Sequence, residues 1–250
     1  MTITHQDELE GLKKIGRIVA NTMHSMAAAM EPGMTTRELD SIGHELLERE
    51  GAVSAPQATY DFPGTTCISV NEEIAHGIPG ERRLATGDLV NIDVSASFNG
   101  YFADTGATFG LGPLQTSLDQ LCRDGKRAMQ IGIAQVGHDK PLAGIGKAIG
   151  TFATKRGYTL IRNLASHGIG KALHEAPEEV PTWPTKGDKR RMHNGLVLTV
   201  EPFLSRGGRW ATSGADDDWT LYSEPAAPVV QYEHTVVATR RGAIIVTLPG

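Results

Sequence analysis

The sequence predicts an α/β fold of the α+β type, in which two similar halves (about residues 1–112 and 113–250) pack as a single domain. Three observations predict it. Helix, helix and strands follow one another and then recur in the same order, a structural pseudo-repeat without obvious residue identity between the halves. The strand-like segments alternate apolar and polar residues and include a two-residue hairpin turn, which favours antiparallel sheet. The 250 residues suffice for one sizeable core, and no stretch reads as a domain linker.

In the first half, Leu9, Leu12, Ile15, Ile18 and Val19 recur at helical spacing over about Gln6–Met30, and Pro32-Gly33 breaks the run. A second helix follows, with Thr35 and Glu38 in capping-box spacing and Gly51 placed to stop it. β-type sequence occupies about Cys67–Phe109. Helices near Leu114–Val136 and Pro141–Gly157 open the second half, and strand-rich sequence runs from Tyr158 to the end. The longest loop-like stretch, Arg206–Pro228, is rich in Gly, Ser, Asp and Pro and interrupts that region.

Hydrophobic residues make up 40% of the chain and charged ones 21%, which excludes a disordered or fibrous protein. A net charge of −5 argues against nucleic-acid binding, which needs a clustered basic surface. No run approaches the ~18 consecutive apolar residues of a membrane span. The start, MTITHQDELE, lacks the basic and apolar regions of a signal peptide. Cys67 and Cys122 are the only cysteines, too few for a disulfide framework and in keeping with a reducing compartment. The expected address is the cytosol.

The most informative segment is LVNIDVSASFNGYFADTGATF. Val90, Ile92, Val94, Ala96 and Phe98 alternate with polar residues, the period of a half-buried strand, and Asn99-Gly100 is a strong hairpin turn. Counting back from that turn pairs Phe98 with Tyr101 and Ser95 with Asp104. Asp93 then shares a face with Asp104, as diagonal neighbours roughly 7–8 Å apart at the backbone. Two carboxylates converging on a covered face repel unless a positive charge lies between them. The blander alternative has both solvated on an outward face, and the hairpin alone does not choose.

Partners lie elsewhere. Glu201 closes the apolar run LVLTVEP, where Pro202 ends ladder bonding, and Glu233 lies inside the strand-like run VVQYEHTVVAT. A carboxylate on a buried strand is unusual without a counter-charge. His76 and His167 share an H-G-I context, and His174 follows in ALHE, whereas His5, His24, His138 and His193 fit ordinary core or surface roles. The HELLE at His44 lacks a second histidine for a zincin, and no dinucleotide loop, P-loop or nucleophile elbow is present.

SVNEEIAHGIPG, NIDVSASFNGYFADT, SHGIGKALHEAP, TVEPF and QYEHTVV occur in the order found in type I methionine aminopeptidases, and the chain resembles that family over nearly its whole length. The resemblance implies the pita-bread fold, in which two pseudo-symmetric halves enclose a dinuclear metal site. It implies Asp93, Asp104, His167, Glu201 and Glu233 as metal ligands, with Asp104 and Glu233 bridging. It implies His76 and His174 as catalytic or substrate-contacting residues outside the metal shell. The methionine pocket would comprise Phe62, Cys67, Leu173 and Trp219, with Tyr60 at the rim.

Four carboxylates and one imidazole suit two divalent ions among Mn, Fe, Co and Zn rather than a thiolate-type zinc site, and their charges balance two such ions. Ions about 3.5–4 Å apart activate a water between them and polarise the scissile carbonyl. Glu201 is expected to shuttle the proton, His174 to hydrogen-bond the carbonyl oxygen as it becomes tetrahedral, and His76 to meet the scissile amide nitrogen. Cys67 reads as a small hydrophobe rather than a reactive thiol.

Four positions depart from the family pattern: Leu173, often aromatic; Ala75, often Cys; Asn194, in place of Pro; and Ser166, where Gly is common. None removes a ligand. The expected substrate is the N-terminus of peptides and nascent chains with a small second residue, acted on by a monomer, with the ribosome a candidate partner. A metal-free binding protein on the same scaffold, and an exopeptidase cleaving before proline, are the rival readings.

Overall fold

The structure is a computed structural model and describes residues 1–215 and 217–250. The first amphipathic segment forms α1 (Gln6–Ala29), whose inner stripe of Leu12, Ile15, Val19, Met23 and Met26 is buried. In α2 (Thr36–Arg49), Thr35 Oγ1 accepts from the Glu38 N–H at 3.1 Å, and the Glu38 carboxylate accepts from the Thr35 N–H at 2.7 Å. That reciprocal cap contributes about 1 kcal/mol. Next come β1 (Val53–Ser54) and α3 (Ala55–Tyr60), which the periodicity does not announce because both are too short to show one. Ser54 Oγ caps α3, and Pro56 sits in its first turn.

The β-type region resolves into β2 (Cys67–Val70), β3 (Glu73–Ala75), β4 (Leu89–Phe98) and β5 (Tyr101–Gly110). β4 and β5 form the hairpin with Phe98 opposite Tyr101 and Ser95 opposite Asp104, the register counted from the turn. Asn99 (φ 50°) and Gly100 (φ 77°) both take the positive φ of a type I′ turn, which keeps the strands twisted together. β1 and β2 pair with β4 at Ala96–Ser97 and Val90–Asp93 respectively, all antiparallel.

The second half begins with α4 (Thr116–Ile133) and α5 (Ala143–Arg156), followed by β6 (Thr159–Leu160), β7 (Ser166–Gly168), β8 (Glu175–Val180), β9 (Val197–Val200) and β10 (Phe203–Ser205). The predicted loop Arg206–Pro228 contains two strands instead, β11 (Trp210–Ser213) and β12 (Leu221–Glu224). They form a hairpin that pairs with β3 of the first half. Its composition reflects exposure: in β11 only Ala211 is buried, so the apolar alternation of a strand is missing. Asp216, within that stretch, lies outside the described residues. β13 (Val229–Gln231), β14 (His234–Thr239) and β15 (Gly242–Ile245) complete the chain.

Two further sheets build the site together with the β4–β5 hairpin. One has the order β13-β10-β6, the other β15-β14-β9-β7-β8. The chain crosses between them three times at one level: through residues 161–165 after β6, through Glu201-Pro202 after β9, and through Tyr232-Glu233 after β13. Glu233 is therefore not inside a strand, as its apolar surroundings suggested, but in the break between two. Its N–H is not orphaned there, because it donates to Gly106 O at 2.8 Å.

One apolar core gathers Ile15 through Leu111 between the first helix pair and its sheet. A second gathers Leu121 through Ala238, together with Leu89, around α4 and α5. Each fully buried Leu or Ile stabilises by roughly 1.5–3 kcal/mol, so both sheets are rigid platforms for the side chains between them. Among the described residues no helix is long and apolar enough to cross a membrane.

Candidate metal centre

The β4–β5 register carries Asp93 and Asp104 to one face, where the two carboxyl groups interact directly enough to shift each other's proton affinity. Opposite them, the sheet breaks deliver Glu201 and Glu233, and β7 delivers His167. One donor atom each of Asp104, His167 and Glu233 lies within 4.8 Å of the other two. Glu201 Oε1 stands 3.7 Å from His167 Nε2. The outward-facing alternative for the hairpin fails, because Asp104 is 8% exposed and the half-buried Asp93 lines the same cleft.

Asp104 Oδ1 and Glu233 Oε1 are buried without a hydrogen-bond partner, which is costly for a carboxylate unless a cation meets it. Burial first, and mutual repulsion second, push Asp93 and Glu233 well above the usual carboxylate range. Burial raises Asp104 to about 6 and Glu201 to about 8. Divalent cations would keep these groups ionised and fill the unpartnered acceptors. The donor set of carboxylates with one imidazole fits Mn, Fe, Co or Zn.

His167 supplies a lone pair. Its Nδ1 lies 3.0 Å from Gly168 O, and a carbonyl can only accept, so the proton sits on Nδ1 and Nε2 is free toward the carboxylates. Burial lowers its pKa to about 3, leaving the ring neutral. Thr199 Oγ1 donates to Glu201 Oε1 at 2.7 Å while accepting from the His167 N–H at 3.1 Å. Ser166, a departure from the family pattern, places its hydroxyl where it accepts from the Glu201 N–H at 2.9 Å.

A cleft of about 620 Å³ opens over the carboxylates, and its lining includes Tyr60, Phe62, Cys67, His76, Leu173, His174 and Trp219. Phe62 and Trp219 pack edge to face, with ring centroids 5.3 Å apart. Cys67 pairs with Asp93 in the β2–β4 register, and burial together with Asp93 holds its thiol protonated, as suits a small apolar wall. Tyr60 Oη is 2.7 Å from His174 Nδ1, and the His174 ring lies over that of His167 with centroids 3.9 Å apart. His76 sits at φ 54°, a left-handed conformation that costs roughly 1–3 kcal/mol in a side-chain-bearing residue. Gly77 follows because a Cβ there would come 2.2 Å from Ile68 O. The rings of His76 and His174 reach the solvent of the cleft, yet protein surrounds them closely enough that desolvation lowers both pKa values.

Sequence reasoning did not single out Thr199 or Gln231. Each lies two residues before a candidate ligand, a spacing that picks them out only once the ligand itself is given.

The sequence profile of metallopeptidase family M24 matches residues 10–240. A Bacillus subtilis protein named methionine aminopeptidase 2 is 46% identical over 99% of this chain and 99% of its own. A Staphylococcus epidermidis protein named methionine aminopeptidase is 44% identical over 99% of this chain and 98% of its own. The crystal structure of methionine aminopeptidase from Rickettsia prowazekii superposes with a TM-score of 0.93 at 30% identity, covering 99% of this chain and 100% of that one.

Proposed function

The chain belongs to metallopeptidase family M24, and from that membership we propose that it removes methionine from the N-terminus of peptides and nascent proteins whose second residue is small. It has the pita-bread fold and, like its full-length relatives, is a divalent-metal-dependent aminopeptidase. The observation that carries the reading is the meeting of Asp104, His167 and Glu233, with an unpartnered buried oxygen on each of the two carboxylates.

Asp93, Asp104, His167, Glu201 and Glu233 would hold two divalent ions. Bound there, such ions supply Lewis acidity, which polarises the scissile carbonyl and lowers the pKa of water. Glu201 has one oxygen fixed by Thr199 and a proton affinity raised by burial. It takes a proton from the attacking water and passes it to the leaving nitrogen. Tyr60 Oη lies 2.7 Å from His174 Nδ1, and in the tautomer where the phenol donates to that nitrogen the neutral His174 ring turns its Nε2–H to the carbonyl oxygen as charge develops there. His76 meets the amide nitrogen. The thioether packs against Phe62, Cys67, Leu173 and Trp219, with Tyr60 at the rim.

The same reading has a monomer acting on nascent-chain N-termini in the cytosol, with the ribosome as a candidate partner. Both rivals are less well supported: every ligand position is filled, unlike a metal-free binding protein, and the full-length relatives are named for methionine rather than proline.

Purified protein, stripped of metal, is to be incubated with Met-Ala-Ser, Met-Leu-Ser, Leu-Ala-Ser and Ala-Pro-Ser, with and without added divalent ions. Methionine release from Met-Ala-Ser alone, and only with metal, is expected. Comparable release of other first residues would defeat the specificity.

A further inference from the structure

We propose that Gln231 is a positioning residue for the metal centre, holding the Glu233 carboxylate so that one oxygen stays free for the cation. The inference rests on the metal-centre reading above and goes beyond it to a residue that binds no ion.

Gln231 ends β13 and is 1% exposed. Its Nε2 donates to Glu233 Oε2 at 3.0 Å and reaches Asp93 Oδ2 at 3.5 Å. Its Oε1 accepts from Asn91 Nδ2 at 2.9 Å. One amide thus ties a carboxylate of the β4–β5 hairpin to a carboxylate in the break after β13. Asn91, two residues before Asp93 on β4, touches neither carboxylate and acts only through Gln231.

The network fixes which end of the amide faces the carboxylates. Asn91 Nδ2 can only donate, and it also has Thr108 Oγ1 at 3.3 Å and Gln231 O at 3.5 Å as acceptors. A flipped Gln231 would set its NH₂ against that donor and its carbonyl against two carboxylates. Space is reserved as well: a Cβ at Gly106, opposite Asp93 in the hairpin, would lie 2.5 Å from Gln231 Oε1 and displace the amide from this position.

The choice of a neutral donor has a chemical consequence. Gln231 occupies one lone pair of Glu233 Oε2 and leaves Oε1 buried and unpartnered, open to an ion. A Lys or Arg at this position would neutralise the carboxylates and compete with the cation. A Glu would add a further buried negative charge. Groups that orient a metal ligand in this way typically contribute 10–100-fold in affinity.

The test is calorimetric titration of metal-free protein with Mn²⁺ and Co²⁺, comparing the parent with Gln231→Ala, Asn91→Ala and the double variant. Gln231→Ala is expected to weaken binding by about 10–100-fold and to change the visible absorption of the Co²⁺ form. Asn91→Ala should weaken it less, and the double variant no more than Gln231→Ala alone, because Asn91 works through the same amide. Affinities within twofold of the parent, with only thermal stability reduced, overturn the proposal. If Gln231→Ala does not fold by circular dichroism, Asn91→Ala carries the decision by the same criterion. Failure of the parent itself to bind either ion defeats the metal-centre reading, and this inference with it.

Discussion

Replacing Glu201 with Gln is expected to lower kcat on Met-Ala-Ser by about 10²–10⁴-fold, the range a general acid–base group supplies. The amide keeps the shape of the side chain and can still accept the Thr199 hydrogen bond made to Oε1. It loses the proton affinity that burial raises to about 8 in the carboxylate. Four other candidate ligands remain, so affinity for Mn²⁺ measured by calorimetry should fall far less than turnover does. The discriminating quantity is the ratio of those two losses. A variant that turns over within severalfold of the parent would remove Glu201 from the shuttle role and leave it as a ligand only.

The second large effect is thermal. Without cations, Asp104 titrates near 6 and Glu201 near 8, both above the values of an unfolded chain. The folded state therefore retains protons that the unfolded state has released. Stability from this source is complete below the unfolded carboxylate range and is lost as pH rises through the folded values. The buried histidines, neutral in the fold and protonated in the unfolded chain below about pH 6.5, oppose this at lower pH, so the Tm of metal-free protein should fall between about pH 7 and about pH 8.5. Divalent ions reverse the trend, because they bind the ionised carboxylates and bind them better as protons leave. With ion at about 1,000 times its Kd the gain is about 4 kcal/mol, or roughly 10 °C for a chain of this size. Scanning calorimetry across that range should show the gap between loaded and metal-free protein widening with pH. A gap that narrows with pH would mean the ions do not replace protons on these carboxylates.

The hairpin was legible in the sequence because both of its determinants are local. Asn99-Gly100 sets the turn, and the alternation from Val90 to Phe98 sets the face, so the Ser95–Asp104 pairing follows by counting. The capping box at Thr35 and Glu38, and the four long helices, were legible for the same reason. Glu233 was harder. Its flanking residues look like one continuous strand, and only the pairing of β13 with β10 and of β14 with β9 makes a break there. That pairing joins residues distant in sequence and leaves no local trace. The β11–β12 hairpin was hidden by its exposed, polar composition, although it adds strands beside β3 in a wall that includes Trp219. Gln231 and Asn91 were hidden differently: an amide on a strand has no signature until the carboxylates it serves are known. The candidate carboxylates and histidines stood out from their own surroundings, whereas their assignment as ligands, and every pocket residue, came only through the family resemblance.

The account turns on divalent cations being held by carboxylates from both halves of the chain. A crystal of the protein soaked in Mn²⁺, with diffraction recorded at a wavelength where manganese scatters anomalously, tests this most directly. Two anomalous peaks should appear, enclosed by Asp93, Asp104, His167, Glu201 and Glu233, with Asp104 and Glu233 touching both. Manganese density confined to surface carboxylates, with the cluster between the sheets empty, would contradict the account.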